Sequence, residues 1–327
     1  MRKLAFLLFT LVALLPASAS HIFVYDFPDT EAIPDFSVWT DDYVDGVSIR
    51  IRWKDFEPTS GVYVTGFLTG ILSDAKANSK KVLLRILVQG SNAPAWVKSG
   101  AVLFSASDAE TIWVYWDSSA LSALAGVFQE IAKIAASYPG VINLVSCGCD
   151  SQGAGDWACP HTLLDRKEWG KLGYTSAKNI SGCESYLTSA FSNLPAAASV
   201  YMAAGRNGKL DPDPNYVASS VASYELSKNQ GTFFLGKNSW SAVTPDPSKA
   251  AGTSWEIMTD FPKATLGAQA LWWVWGDAKY KDNGGKADSA LNIMTKMMAK
   301  AHTWALSEIE VYEIDVRKLG ATIQANN

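Results

Sequence analysis

The stretch VDGVSIRIRWKDFEPTSGVYVTGFLTGILSDAKANSKKVLLRILVQG, residues 44–90, decides the fold. In its first part, Val44 to Trp53, the apolar residues Val47, Ile49 and Ile51 alternate with polar ones, which is the period of a strand. Glu57-Pro58 and Gly61 then build a turn, because proline fixes φ and glycine takes conformations that other residues avoid, so Glu57 reads as structural. Gly66 to Ala77 repeats its apolar residues at three and four, the period of a helix. Lys81 to Val88 is a short apolar run and forms the next strand. Strand, helix and strand in so short a span make a βαβ unit.

The same alternation runs along the whole chain. Eight strands are expected: Ile22 to Phe27, Val44 to Trp53, Lys81 to Val88, Val141 to Cys149, Ser199 to Ala204, Thr232 to Asn238, Thr265 to Trp272 and Glu308 to Asp315. Between them lie helices such as Gly66 to Ala77, Ser118 to Tyr138 and Ala287 to Leu306. In Ser118 to Tyr138, Ser118 or Ser119 can cap the start and Pro139-Gly140 stops the helix. Eight βα units in a chain of 327 residues fit a TIM (β/α)8 barrel. A doubly wound sheet is the alternative, but no Gly-x-Gly-x-x-Gly turn follows the first strand.

Ahead of the barrel, Arg2 and Lys3 precede an apolar run from Leu4 to Leu15, then Pro16-Ala17-Ser18-Ala19. This is the pattern of a secretory signal peptide, so residues 1–19 read as a removable leader and 20–327 as one domain, secreted to an extracellular or periplasmic compartment. Export makes the four cysteines candidates for disulfides. Cys147 and Cys149 share a strand face and cannot bridge each other without strain, so each is expected to pair with Cys159 or Cys183. Asn179-Ile180-Ser181 is a formal glycosylation sequon.

Composition excludes several functions. Lys+Arg is 28 against Asp+Glu 32, with no basic run, so no nucleic-acid partner is expected, and none in a membrane after the leader is removed. Three histidines are too few for an imidazole-rich catalytic metal site, so neither metal nor cofactor is expected. The 13 tryptophans, 12 tyrosines and 13 phenylalanines point instead to aromatic recognition, with a carbohydrate as the partner they suit and the oligomeric state left open.

The element Arg50-Ile51-Arg52-Trp53-Lys54-Asp55-Phe56-Glu57-Pro58, with Gly61 and Tyr63, resembles the opening of clan A glycoside hydrolases, retaining (β/α)8 enzymes. Ala93-Pro94-Ala95-Trp96 is similar to their Pro-x-Trp after strand three, and Tyr138-Pro139-Gly140-Val141 to the approach to their fourth strand. The resemblance implies two carboxylates, on strands four and seven. One protonates the departing oxygen, and the other acts as nucleophile or activates water.

At both places this chain departs from the pattern. No Asn-Glu pair stands near Asp150, but Gly155-Asp156-Trp157 resembles the Gly-Glu-Trp found after strand four in related barrels. Beside Trp157, Asp156 is the expected general acid, its neutral form favoured by loss of water. The nucleophile's place on strand seven holds Gln269, an amide, so the second carboxylate is sought among Asp277, Asp150 and Glu310. Expected sugar-binding groups are Arg50, Arg52, Trp53, Trp96, Trp157, His161, Arg206, Asn238, Gln269, Trp272 and Trp275, at strand ends or in the loops that follow. The reading is a secreted glycoside hydrolase, or a sugar-binding barrel that has lost its nucleophile.

Overall fold

The computed structural model describes residues 19–25, 36–105, 111–147, 163–194, 199–203, 234–249, 257–260, 265–276 and 281–327. Its strands, in chain order, are β1 (His21–Tyr25), β2 (Gly46–Arg52), β3 (Lys81–Leu87), β4 (Leu103–Ser105), β5 (Thr111–Trp113), β6 (Ile142–Cys147), β7 (Ser199–Ala203), β8 (Phe234–Trp240), β9 (Thr265–Ala270) and β10 (Glu308–Tyr312). Strands β4 and β5 pair antiparallel outside the barrel. The other eight close into a ring ordered β1, β2, β3, β6, β7, β8, β9, β10, with every neighbouring pair parallel. This is the (β/α)8 barrel expected from the sequence, and each expected strand is found in it.

Local chemistry sets the helix boundaries. The helix Gly66–Ala77 has the expected limits, and Leu68, Ile71, Leu72 and Ala75 are its buried stripe. The helix Ser118–Ala135 is capped by Asp117 rather than by Ser118 or Ser119. One Asp117 carboxylate oxygen accepts from the Ser119 and Ala120 N–H groups at 3.0 and 2.9 Å, and the other accepts from Val102 N–H at 2.9 Å. A carboxylate here meets both the free N–H groups and the positive end of the helix dipole.

Strand ends shift by one to three residues from expectation, β9 stopping at Ala270 and β8 running on to Trp240, and at two of them the chain turns directly into a helix. β2 stops at Arg52, and Trp53 opens the short helix Trp53–Phe56. β10 stops at Tyr312, and Glu313 and Asp315 lie in the first turn of the helix Glu313–Asn326. The alternating run EIEVYEID imitates a strand throughout, but acidic residues suit a helix start, and Glu313 pairs with Arg317 one turn on, at 2.6 Å.

The main apolar core lies between the strand ring and the helices. Inside the barrel, Phe23, Leu83 and Leu144 make a separate small cluster. The rest of the described lumen is unusually polar. Glu310 of β10 reaches Arg85 of β3 at 2.5 Å and Ser48 of β2 at 2.7 Å, and because neither strand adjoins β10, these contacts cross the lumen. Nearer the N-terminal end, Glu308 accepts from Asn143 at 2.6 Å, at the position where a bulge shifts the β3–β6 register. Below the barrel, Ser20 Oγ donates to the Leu306 carbonyl at 2.6 Å, and Asn327 exchanges hydrogen bonds with the Ser20 backbone at 2.9 and 3.0 Å.

Candidate functional site at the C-terminal mouth of the barrel

In a barrel of parallel strands the C-terminal ends gather at one face, where loops can bring side chains together. Here that face carries a run of aromatic contacts. Arg50 donates to the Tyr25 hydroxyl, and its guanidinium lies 4.0 Å from the centre of the Tyr25 ring. Tyr25 packs on Tyr312 at 4.9 Å, and Tyr312 on Trp273 at 6.0 Å. Trp273 stacks on Trp272 at 4.5 Å, with the Lys281 ammonium 4.0 Å from the Trp272 ring centre. Trp272 and Trp273 are half-buried and Trp275 is 42% exposed, so the segment after β9 presents indole surface outward. Burial, outweighing the opposing Arg50 charge, raises the Tyr312 phenol well above its ordinary range, so it stays a neutral donor.

This segment is held from beneath by a residue that the sequence reading did not select. Both Asp315 oxygens accept from Val274 N–H, at 2.9 and 3.0 Å, and one also accepts from Trp275 N–H at 2.7 Å. Asp315 is fully buried, and loss of water raises its carboxyl to about 7, against the two backbone donors that favour the charged form. Asp282 is also fully buried and is raised to about 8, first by burial and then by the Asp315 charge. The Trp272 backbone N–H and Lys281 favour its charged form, but neither Asp282 oxygen has a hydrogen-bond partner of normal geometry among the described residues. Asp315 sat within an expected strand; the signal that could have found it is its place in the first turn after a strand end.

Three of the expected site residues take structural positions. Trp53 is fully buried, its indole N–H donating to Glu57 at 2.9 Å, so it is a core residue under the rim and offers no face to a sugar. Glu57 also accepts from Gly61 N–H at 2.8 Å, which gives the Glu-Pro turn the structural role read from the sequence. Glu310, considered for the second carboxylate, is buried with both oxygens engaged by Arg85 and Ser48, and serves as an internal counter-ion. Arg52 forms an ion pair with Asp55 at the rim instead of following Arg50 inward.

The remaining expected residues divide in two. Trp96 is half-buried, donates to the Glu57 carbonyl at 3.1 Å and meets Trp53 edge-on at 6.1 Å. Gln269 lies near the end of β9, beside Glu310, 6% exposed, and its amide nitrogen has no hydrogen-bond partner among the described residues. Asp150, Asp156, Trp157, His161, Arg206 and Asp277 lie outside the described residues, as does the side chain of Asn238. The structure therefore brings Arg50, Gln269, Trp272 and Trp275 to one face, and leaves the expected acid untested.

Two further sequence features are placed. Asn179 of the sequon is 1% exposed on the helix Ser176–Asn193, where no glycan fits. Cys183 on the same helix is buried and disulfide-bonded; the side chains of Cys147, Cys149 and Cys159 lie outside those described. Among the described residues no group of three or more His, Cys, Asp or Glu converges as metal ligands.

Comparison with solved structures gives the fold its relatives. The catalytic domain of a β-amylase from Paenibacillus polymyxa superposes with a TM-score of 0.59 at 10% identity, covering 91% of this chain and 94% of that one. Xylanase 10B from Thermotoga petrophila, solved with xylobiose, gives 0.53 at 12% identity over 90% and 82% of the two chains. A psychrophilic family 10 endo-β-1,4-xylanase gives 0.52 at 10% identity over 90% and 86%. The likeness is one of fold. It covers almost the whole barrel, at identities that carry no activity across. No family model matches the chain, and no curated protein does.

Proposed function

We propose that the chain is a secreted glycoside hydrolase that cleaves O-glycosidic bonds of a polysaccharide or oligosaccharide at the C-terminal mouth of the barrel. The observation that carries this reading is the aromatic surface of Trp272, Trp273 and Trp275, set directly after β9 and continued inward by Tyr312, Tyr25 and Arg50. Flat apolar rings beside hydrogen-bond donors suit the two faces of a sugar. A barrel shared with amylase and xylanase catalytic domains agrees with it.

In this reading Asp156 is the general acid/base. It protonates the glycosidic oxygen as the bond breaks, while a second carboxylate attacks the anomeric carbon or deprotonates a water that does. With Glu310 engaged by Arg85, the second carboxylate is Asp277 or Asp150. The amide of Gln269 favours a second reading, a sugar-binding barrel without hydrolysis, because an amide forms no glycosyl ester.

Release of reducing ends from a panel of neutral polysaccharides decides between the two. Asp156→Asn is expected to lower hydrolysis by roughly 10²–10⁴-fold while binding, read from tryptophan fluorescence, persists. An active wild type whose Asp156→Asn variant keeps its rate removes Asp156 from the mechanism. An inactive wild type that binds glycan, and gains hydrolysis on Gln269→Glu, establishes the second reading.

Export and the cysteine pairing belong to the same proposal. The secreted protein is expected to begin at Ser20, as N-terminal sequencing would show. Peptide mapping without reduction is expected to find Cys159 in a disulfide; four alkylatable cysteines in the native protein would remove that expectation.

A further inference from the structure

We propose that Asp282 and Asp315 form a proton-dependent clasp that positions the tryptophan segment Trp272–Trp275 at the mouth of the barrel, closed when the pair retains a proton and loosened when both are ionised. Four observations carry it. Asp315 is the anchor of the segment, since its carboxylate receives the Val274 and Trp275 N–H groups. Asp282 is fully buried within electrostatic reach of that anchor, and among the described residues neither of its carboxyl oxygens has a hydrogen bond of normal geometry, an arrangement that disfavours its charged form. The segment carrying Asp282 is itself tied down, because the Asp282 carbonyl accepts from Ala242 N–H at 2.9 Å, just beyond β8. Finally, the tryptophans above the anchor are partly exposed and stack on one another, so a shift of their backbone changes the surface offered to a ligand.

Two carboxylates in one dry place cannot both ionise without repulsion, and here the repulsion has a place to go. The other groups near the pair are Lys281, whose ammonium lies over Trp272, and Tyr312, which also senses Arg50 and Glu310. Lys281 is exposed, so the solvent weakens its hold on the pair, and Tyr312 stays neutral. The pair carries one negative charge when Asp315 is ionised and Asp282 is not, which keeps a strong acceptor under Val274 and Trp275. As pH rises through about 8, Asp282 ionises, and the segment held by Asp315 gives way.

The consequence for glycan binding rests on the functional reading above; the clasp itself does not, and it is tested without a glycan. Hydrogen exchange of the Val274 and Trp275 amides, expressed as protection against the intrinsic rate at each pH, reports the anchor directly. For the wild type, protection is expected to fall at least tenfold between pH 7.5, where Asp315 is ionised and Asp282 is not, and pH 9.5, where both are ionised. Asp282→Asn, which keeps shape but no charge, is expected to hold protection constant over that range, whereas Glu308→Gln, at the other end of the lumen, keeps the wild-type fall. Asp315→Asn is expected to lower protection at every pH. The same fall in wild type and Asp282→Asn, or constant protection in the wild type, would overturn the clasp. If exchange behaves as expected and no glycan binds at any pH, the clasp stands and the sugar reading fails.

Discussion

Arg85 and Glu310 show what a single pair decides. At 1% and 2% exposure they neutralise each other inside the barrel, and the lumen tolerates two charges only because both are present. Arg85→Met is therefore expected to cost about 3–5 kcal/mol, the penalty of leaving Glu310 buried and unpaired. The double variant Arg85→Met/Glu310→Leu should recover most of that loss. Urea denaturation of the three proteins checks it, and a double variant as unstable as the single would mean that the pair holds the barrel by more than mutual neutralisation. The role of Glu310 was not legible in the chain because Arg85 and Ser48 come from other strands, whereas Arg52 and Trp53 have partners three and four residues on, Asp55 and Glu57, and were misplaced because strand alternation hid the helix that starts at Trp53. Glu310 differs from a catalytic carboxylate only in having Arg85 and Ser48 opposite it. Glu57 was legible, since the proline and glycine around it already specify a turn.

At the scale of elements, spacing was a good guide wherever one face of a segment packs. The helix Gly66–Ala77 was read to its ends, and two glycines test how much the remaining packing matters. A Cβ on Gly182 would lie 2.0 Å from the Tyr115 carbonyl oxygen, a backbone atom that cannot swing aside. Gly182→Ala is expected to destabilise by about 1–3 kcal/mol through this overlap. A Cβ on Gly70 meets nothing within 4 Å, so Gly70→Ala is expected to stabilise by about 0.5–1 kcal/mol, through the entropy that glycine loses in a helix. Thermal unfolding of both variants separates close contact from propensity, and equal shifts of the same sign would contradict the argument. The expected strand Glu308 to Asp315 overran because alternation alone does not say where the ring of neighbours ends. β10 pairs with β1 as far as Tyr312, and beyond it the chain turns into a helix whose first acidic turn supplies Asp315.

At the scale of the molecule, three buried carboxyls among the described residues hold protons that the unfolded chain releases. Burial is the first cause in each: Glu308 is raised to about 8, Asp282 to about 8 and Asp315 to about 7. Between the ordinary carboxylate range and those values the folded chain binds more protons than the unfolded one, so stability falls as pH rises through this window. The protein is expected to melt at a higher temperature at pH 5 than at pH 9. Glu308→Gln, which can still accept from Asn143, should reduce that difference by stabilising the protein at pH 9 and changing little at pH 5. A melting temperature independent of pH in the wild type would contradict the assignment of the three groups. The sequence by itself determined the eight βα units, their order and the aromatic character of the chain, because strand and helix periods and turn residues act locally and need no knowledge of distant partners. Only the tertiary structure decided which polar residues are partners and which are free to act. Closing the ring puts Arg85 opposite Glu310, and the segments beyond β9 and β10 bring Asp282 within electrostatic reach of Asp315, across separations in the chain that no local pattern records; the cost of burying charge then assigns each its state.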